Sequence, residues 1–299
     1  MISKIRRLEV TRCAEDLVRD RSTFPINPFQ MAKDKDIEVR SWRPTKHGIS
    51  GFLMKEGDAF GIGYSEFINN QGFINFTVGH ELGHYCLPGH VEKLFSNPSG
   101  FHYSRSGFIC HDECEKEADL FSATLLMPEA LFRKTLRQTG SGFSAIESLS
   151  GLCVTSITAT AIRFAEFSED PVAIVVGSSG RVDFCSMSEV LRHYRGLTWL
   201  KAGDSIPQLS ATFRFQQVQD NITHGKTAEA FTMLNEWFDG APRIEMKEDV
   251  VGLGHYGKTL TVLFTRETLT EEETQKDDAE EEEYEGGYIP SWRRGRGDE

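Results

Sequence analysis

The stretch "FTVGHELGHYCLPGH", residues 76–90, places two histidines four residues apart with a glutamate directly after the first. On a helix, residues four apart project from the same face, so His80 and His84 can bind one cation together. Glu81 is displaced by one position, close enough to hold a metal-bound water without being a ligand itself. In such an H-E-x-x-H site, zinc lowers the pKa of the water and polarises a peptide carbonyl, while the glutamate accepts the proton. The spacing therefore predicts His80 and His84 as ligands of a single Zn2+ per chain and Glu81 as the catalytic residue.

A third protein ligand is needed, and the sequence offers two candidates. His90 lies at the spacing of the extended H-E-x-x-H-x-x-G-x-x-H pattern, although Leu87 stands where that pattern has glycine. Glu115, on a helix predicted downstream, would complete a His2Glu site. Asp119 lies one turn later on the same face and can accept the distal N–H of a ligand histidine, which fixes its tautomer. We favour Glu115 as the third ligand with Asp119 behind it, and we keep His90 as the alternative.

Other residues near these ligands are assigned less directly. Glu113 and Glu117 point away from the Glu115 face of a regular helix and are expected in solvent. Gly79 and Gly83 each cost about 1 kcal/mol relative to alanine inside a helix, so we expect the histidine helix to approach another backbone closely. A donor for the transition state is also required, and five candidates stay open: Tyr64, His90, His102, Tyr103 and His111.

The elements that must position these side chains follow from hydrophobic periodicity and capping residues. The N-terminal part predicts a helix over residues 4–19 and a short helix from residue 28, capped by Asn27. A strand is predicted over 37–39, followed by two strands joined by a turn at 56–58. The histidine helix is predicted from residue 75 or 77 to Pro88, and the next helix over 112–126. Between these two helices, residues 96–111 are expected to form an extended loop.

The second half of the chain predicts a different organisation. Residues 129–168 are expected to be helical, with two short helices around a turn at Gly151. Beyond Pro171 the segments "PVAIVV", "RVDFCSM", "ATFRF", "RIEMKEDVVGLGHY" and "KTLTVLFT" predict strands, with helical pieces near 188–194 and 227–237. We therefore predict an α+β protein with these parts: a zinc metallopeptidase domain at 1–128, a helical segment at 129–169, a C-terminal α+β domain at 170–266 and a tail at 267–299.

Composition narrows the class of protein. The net charge is −12, but residues 267–299 alone carry 13 acidic side chains against four basic ones, which predicts an acidic disordered tail. No apolar run is long enough to cross a bilayer, the first residues lack a secretory signal, and the six cysteines are scattered. We therefore expect a cytoplasmic protein that does not bind membranes. No basic face stands out, which argues against direct DNA binding.

Two stretches carry a family resemblance. "FINFTVGHELGHYCL" followed by "CEKEADLFSATLLMP" closely resembles the ImmA/IrrE metallopeptidase family, whose pattern is a histidine–glutamate helix followed by an E-x-E-A-N/D-x-F-A-x-x-L-L-x-P helix. The resemblance spans roughly residues 27–168, and Ser122 stands where the family usually has alanine. It implies a thermolysin-like minimal zinc-peptidase core of gluzincin type, with His80, His84 and Glu115 as metal ligands and Glu81 as the catalytic glutamate.

The resemblance also implies a partner. Family members look like stress- or phage-linked regulators that cut a helix-turn-helix repressor of the XRE-like kind and so relieve repression. Residues 142–168 are similar to the family's own helix-turn-helix-like segment, in which Arg163 is the one obvious side chain for a base or phosphate. Two rival interpretations remain: a zinc-containing regulator that sequesters a repressor without cleaving it, and a toxin–antitoxin component. Only an enzyme requires Glu81.

Overall fold

The computed structural model describes residues 2–44, 48–95, 99–105 and 112–266. The predicted acidic tail and His111 lie outside these residues. The described chain divides into two compact units: one comprises residues 2–132 and 150–159, and the other comprises 133–149 and 160–266. The predicted division into four parts stays a prediction. Helices and strands are mixed along the chain, which confirms the α+β class.

The first unit begins with two capped helices and a strand pair. Its first elements are α1 (Lys4–Val18), α2 (Pro28–Lys33), β1 (Glu38–Trp42), β2 (Ile49–Glu56) and β3 (Ala59–Ser65). The side chain of Asn27 accepts hydrogen bonds from the backbone N–H groups of Phe29 and Gln30, at 3.0 and 3.3 Å. The predicted N-terminal helix, the Asn27 cap and the turn between β2 and β3 are therefore confirmed.

The two helices predicted to carry the site follow, with an additional strand between them. These elements are α3 (Gln71–Cys86), α4 (His90–Leu94), β4 (Ser99–Arg105) and α5 (Glu113–Leu126). The four strands form a sheet in the order β1-β3-β2-β4, and β4 pairs antiparallel with β2 so that His102 lies opposite Leu53.

The prediction of an extended loop over residues 96–111 is wrong for 99–105. Phe101 and Tyr103 point their aromatic rings outward, whereas His102 is partly buried and Ser104 fully buried. This alternation is the inverse of the usual strand, in which apolar side chains face the core. The strand exists because β2 offers its backbone edge, and that pairing partner is nearly 50 residues away in the chain.

Close packing of α3 against α5 brings the two parts of the predicted site together. A Cβ atom added at Gly79 would lie 2.6 Å from Ser122 Oγ, and one added at Gly83 would lie 3.0 Å from the ring of Phe121 and 3.3 Å from the Cα of Ala118. The hydroxyl of Ser122 donates a hydrogen bond to the carbonyl of Phe76, at 2.8 Å. The expected close approach of the histidine helix to another backbone is confirmed, and that backbone is α5.

Three helices follow: α6 (Glu129–Thr139), α7 (Gly142–Cys153) and α8 (Ile157–Phe167). The predicted turn at Gly151 is wrong, because Gly151 lies inside α7 and the chain turns at Val154, which has φ 53°. Arg163 is buried, pairs with Glu166 at 2.7 Å and lies over the ring of Phe167, so its guanidinium is engaged within the fold.

A search of the described helices for membrane spans finds no single helix of sufficient length and apolarity. Only α7 and α8 taken together pass the same test of length and composition, and the chain bends by 113° between them.

The second unit contains a five-stranded antiparallel sheet. The remaining elements are β5 (Val172–Ser178), β6 (Arg181–Met187), α9 (Glu189–Arg192), α10 (Ala211–Gln216), α11 (Gln219–Thr223), β7 (Thr227–Met233), α12 (Leu234–Trp237), β8 (Glu245–Gly252) and β9 (Thr259–Phe264). The strand order is β6-β5-β9-β8-β7. Its core includes Tyr194, Phe238 and Leu263, all buried.

Two predictions in this unit are wrong. The segment "ATFRF" forms α10 rather than a strand, because Ser210 caps its N-terminus and the buried carboxylate of Glu248 accepts from the N–H groups of Ala211 and Thr212. Residues 227–233 form β7 rather than a helix, because they pair along their length with β8. For β7, the pairing with β8 overrides local propensity. For α10, the local cap at Ser210 acts together with Glu248, 36 residues further along the chain.

Replacing Gly79 by alanine is expected to lower the free energy of unfolding, although alanine is the better helix former. Overpacking of a buried contact costs about 1–3 kcal/mol, which exceeds the ~1 kcal/mol gained in helix propensity. Thermal and urea denaturation of the wild type and the variant measure the difference.

Gly151 provides a matched control in the same unit, because no described heavy atom lies within 4 Å of a Cβ added there. Gly151→Ala is expected to raise the free energy of unfolding by up to about 1 kcal/mol. Equal stabilisation by the two substitutions would contradict the close approach of α3 and α5.

Candidate metal centre

Helix α3 positions three of the predicted site residues. The side chain of Asn70 caps its N-terminus by accepting from the N–H of Phe73 at 3.0 Å, so the helix begins at Gln71, earlier than predicted. His80, Glu81 and His84 are all buried, at 1%, 0% and 0% exposure. The four-residue spacing brings the two histidines together as expected, with 3.1 Å between their Nε2 atoms.

Helix α5 adds the glutamate. Asp112 caps this helix by accepting from the N–H of Cys114, and Glu115 lies in the first turn. Its carboxylate oxygens lie 3.4 Å from His80 Nε2 and 3.3 Å from His84 Nε2. The three side chains form a buried group whose ligand atoms all lie within 4.8 Å of one another, the one such group found among the described residues.

The donor set and its spacing fit zinc. Two imidazole nitrogens and one carboxylate oxygen are a usual set for a catalytic Zn2+ site. Metal–ligand distances of about 2.0–2.1 Å place neighbouring ligands of a tetrahedral ion about 3.3 Å apart. The separations of 3.1, 3.3 and 3.4 Å observed here agree with that spacing. The arrangement could therefore hold such an ion without a large rearrangement of the helices.

Two further side chains hold these donors in place. His80 Nδ1 lies 2.8 Å from Asp119 Oδ1, so the histidine can donate to the aspartate and turn Nε2 towards Glu115. His102, on β4, lies with Nε2 2.8 Å from Glu115 Oε1. From the sequence alone, His102 is only one of five possible transition-state donors, because the strand that brings it to Glu115 is not predicted there.

His90, the alternative third ligand, lies behind His84 and is not part of the His80–His84–Glu115 group. Its Nδ1 is 3.0 Å from His84 Nδ1, and its Nε2 is 2.8 Å from Glu117 Oε2. Glu117 is only 7% exposed and pairs with Arg6 of α1, so the expectation that it lies in solvent is wrong. A helical wheel of α5 alone could not show this, because α1 covers that face.

Glu81 differs from the other acidic residues around the site. Both of its carboxylate oxygens are buried, and neither has a hydrogen-bond partner among the described residues. A Cβ added at Gly51 of β2 would lie 3.1 Å from Glu81 Oε1, so the absence of a side chain on that strand leaves room for the carboxylate. Burial raises the pKa of Glu81 to about 7, despite the opposing effect of His80, His102 and the nearby hydroxyl of Ser104, which does not reach hydrogen-bond geometry with the carboxylate. A buried carboxylate without a partner is costly and is typical of a functional position.

The three presumed ligands are electrostatically coupled. Burial lowers the pKa of His84 to about 3 and would lower that of His80, but the neighbouring Asp119 and Glu115 carboxylates raise the pKa of His80 to about 10. Burial of Glu115 favours its neutral form, yet hydrogen bonds from His102, His80 and His84 hold its pKa far below the usual range. Glu115 is thus kept as a carboxylate, the form that binds a cation.

The other candidates for a transition-state donor are less well placed. His111 lies outside the described residues. Tyr103 is 44% exposed and packs against other aromatic rings of the sheet, and Tyr64 contacts Phe29 edge to face. His102 is therefore the one of the five that lies in the described structure, is partly exposed and contacts a residue of the metal-binding group.

One comparison with known proteins, the family match, agrees with this geometry. Residues 70–142 match the model of the Peptidase_M78 family, described as IrrE N-terminal-like domain. No curated protein sequence matches the chain. Among solved structures, a Mycobacterium tuberculosis transcriptional regulator is similar, with 11% sequence identity, a TM-score of 0.48, and coverage of 88% of this chain and 77% of that one. The matched residues contain α3 and α5 with their buried His–His–Glu group, and the match confirms the resemblance to the ImmA/IrrE family for this part of the chain.

Proposed function

We propose that this protein is a zinc metallopeptidase in which His80, His84 and Glu115 hold one Zn2+ and Glu81 is the general base. The observation that carries the proposal is the buried, unpartnered carboxylate of Glu81 directly beside a buried His–His–Glu group. A structural metal site would need the three ligands but not this carboxylate. The match to a peptidase family supports the same class of reaction.

Each residue has a distinct task in this proposal. Zinc, when bound, supplies Lewis acidity that lowers the pKa of a water and polarises the carbonyl of the scissile peptide. Glu81 accepts the proton of the attacking water, and a pKa near 7 suits a base that works at neutral pH. Asp119 and His102 keep His80 and Glu115 oriented through hydrogen bonds of 2.8 Å. Hydrolysis of a peptide bond then follows from residues on α3, α5 and β4.

We extend the proposal to the substrate on the basis of the family resemblance. The substrate is a helix-turn-helix repressor of the XRE-like kind, and its cleavage relieves repression in a stress or mobile-element response. Arg163, the candidate DNA contact of the chain's own helix-turn-helix-like segment, is buried and paired with Glu166. This placement argues against a contact between Arg163 and DNA. Sequestration without cleavage is the rival, and Glu81 separates the two.

Removing the carboxylate of Glu115 is expected to release the metal, because it is the one anionic member of the buried group. Protein purified without added metal is expected to contain about one Zn2+ per chain, the number implied by a site with three protein ligands. Glu115→Ala and the double variant His80→Ala with His84→Ala should contain almost none. Elemental analysis measures the metal content.

Glu113→Ala is the matched control for Glu115→Ala, because it removes the same charge from the same turn of α5 at an exposed position. Its zinc content should equal that of the wild type. A variant series in which His90→Ala empties the site while Glu115→Ala keeps it full would establish His90 as the third ligand instead.

Glu81→Gln is expected to retain zinc and partner binding while losing cleavage, because the amide keeps the side-chain shape but cannot accept the proton of water. Loss of general-base assistance slows a reaction by about 10²- to 10⁴-fold. The test incubates wild type or variant with helix-turn-helix repressors encoded in the same genome and follows each repressor by mass spectrometry. The exposed Glu92→Gln serves as a charge-matched control.

Three results are informative. A single cut made by the wild type and the control but not by Glu81→Gln supports the peptidase. Cleavage by Glu81→Gln at the wild-type rate would show that the general base is misassigned. Binding of a repressor by both proteins without any cut would replace the peptidase with the sequestering regulator.

A further inference from the structure

A chain of four polar side chains runs from the metal-binding group to the first helix of the protein. His84 Nδ1 lies 3.0 Å from His90 Nδ1, and His90 Nε2 lies 2.8 Å from Glu117 Oε2. The same Glu117 oxygen accepts hydrogen bonds from Arg6, from Nε at 2.9 Å and from Nη2 at 2.6 Å. His84 and His90 are almost completely buried, Glu117 is nearly so, and Arg6 reaches in from a partly exposed position.

The hydrogen bonds of these four side chains have only one consistent direction when Glu117 is a carboxylate and His90 is neutral. Glu117 can then only accept, so His90 Nε2 carries the proton that it donates. A neutral His90 has no proton on Nδ1, and this atom must accept the hydrogen bond from His84. His84 therefore carries its proton on Nδ1 and presents the lone pair of Nε2 to His80 and Glu115, where a metal ligand needs it.

Arg6 keeps Glu117 in the carboxylate form that this direction of hydrogen bonding requires. The guanidinium is always protonated, and it donates two hydrogen bonds to one Glu117 oxygen, an arrangement that favours the carboxylate. Arg6 also donates to the carbonyl of Pro88 at 3.1 Å, between the end of α3 and the start of α4. The guanidinium thus joins α1 both to the segment that precedes His90 and to the carboxylate that orients His90.

We propose that His90, Glu117 and Arg6 are positioning residues that hold His84 in the Nδ1–H tautomer and so prepare its Nε2 to bind the metal. This inference rests on the proposed metal site. The two histidine ligands are then oriented in different ways: His80 donates directly to Asp119, whereas His84 is held through a second imidazole. Through the hydrogen bonds of Arg6, Glu117 and His90, helix α1 contributes to the metal site although it carries none of the proposed ligands.

The experiment uses the full-length chain and four variants. His90→Phe keeps a ring of similar size but removes the acceptor, and His90→Gln restores one acceptor and one donor. Glu117→Gln removes the charge and can turn its amide N–H towards His90. The direction of the hydrogen bonds from His84 through His90 is then no longer fixed. Glu113→Gln removes the same charge from an exposed position of α5 and is the control.

Two readouts are measured on each protein. Competition with a chelator gives the affinity for Zn2+ alone, and loss of such an outer hydrogen bond lowers metal affinity by about 10- to 100-fold. Long-range 1H–15N correlation spectra of zinc-free protein labelled at histidine give the tautomer of His84, which a merely structural role would not change. His90→Phe and Glu117→Gln are expected to lose affinity and to mix the two tautomers, whereas His90→Gln recovers most of both and Glu113→Gln matches the wild type.

The outcomes separate this inference from the proposed function. If the wild-type protein binds no Zn2+, the proposed metal site is wrong. The tautomer of His84 then still tests whether His90, Glu117 and Arg6 position that side chain. An Nε2–H tautomer in the zinc-free wild type overturns the inference, as does wild-type affinity in both His90→Phe and Glu117→Gln. If His90→Phe does not fold, the difference in zinc affinity and in His84 tautomer between Glu117→Gln and Glu113→Gln tests the same inference.

Discussion

The short distance between α3 and α5 is the constraint on which the candidate site depends. The presumed ligands come from both helices, and their donor atoms lie 3.1–3.4 Å apart. Gly79 and Gly83 make this distance accessible, because a side chain at either position would meet Ser122 or Phe121. Around the contact, Val78 and Leu82 of α3 pack with Phe121 and Leu125 of α5 in one buried cluster. The apolar packing fixes the helices, and the glycines set how near they come.

Burial of charge is the second feature that distinguishes this region. Four carboxylates lie close together around α3 and α5, and most of them are compensated. Asp119 bonds to His80, Glu115 to three histidines, and Glu117 to Arg6 and His90. Glu81 has no such partner among the described residues. Because an isolated buried charge is strongly unfavourable, the fold keeps a destabilising group at the one position where the proposed chemistry requires a base.

The edge strand β4 and the first helix α1 add residues that the two central helices cannot supply. β4 brings His102 to Glu115, and α1 brings Arg6 to Glu117. Both hydrogen bonds are made to residues of α5, and the ring of His102 also packs edge to face against His84 of α3, with 4.6 Å between the ring centroids. The site is therefore assembled in layers: two helices provide the presumed ligands, and the surrounding elements determine how those side chains are oriented.

The local pattern of residues was sufficient for the central features. Helical periodicity, a property of consecutive residues, predicts that His80 and His84 share one helix face and that Glu115 and Asp119 share another, and α3 and α5 are helices as predicted. The roles of these residues in metal binding stay predictions. The cap at Asn27 is local for the same reason. The strand β4, the helix α10 and the burial of Glu117 were decided by the tertiary structure. Each depends on a partner far away in the chain, namely β2, Glu248 and Arg6. No local pattern encodes such a partner, because long-range pairing and burial arise only when distant segments meet.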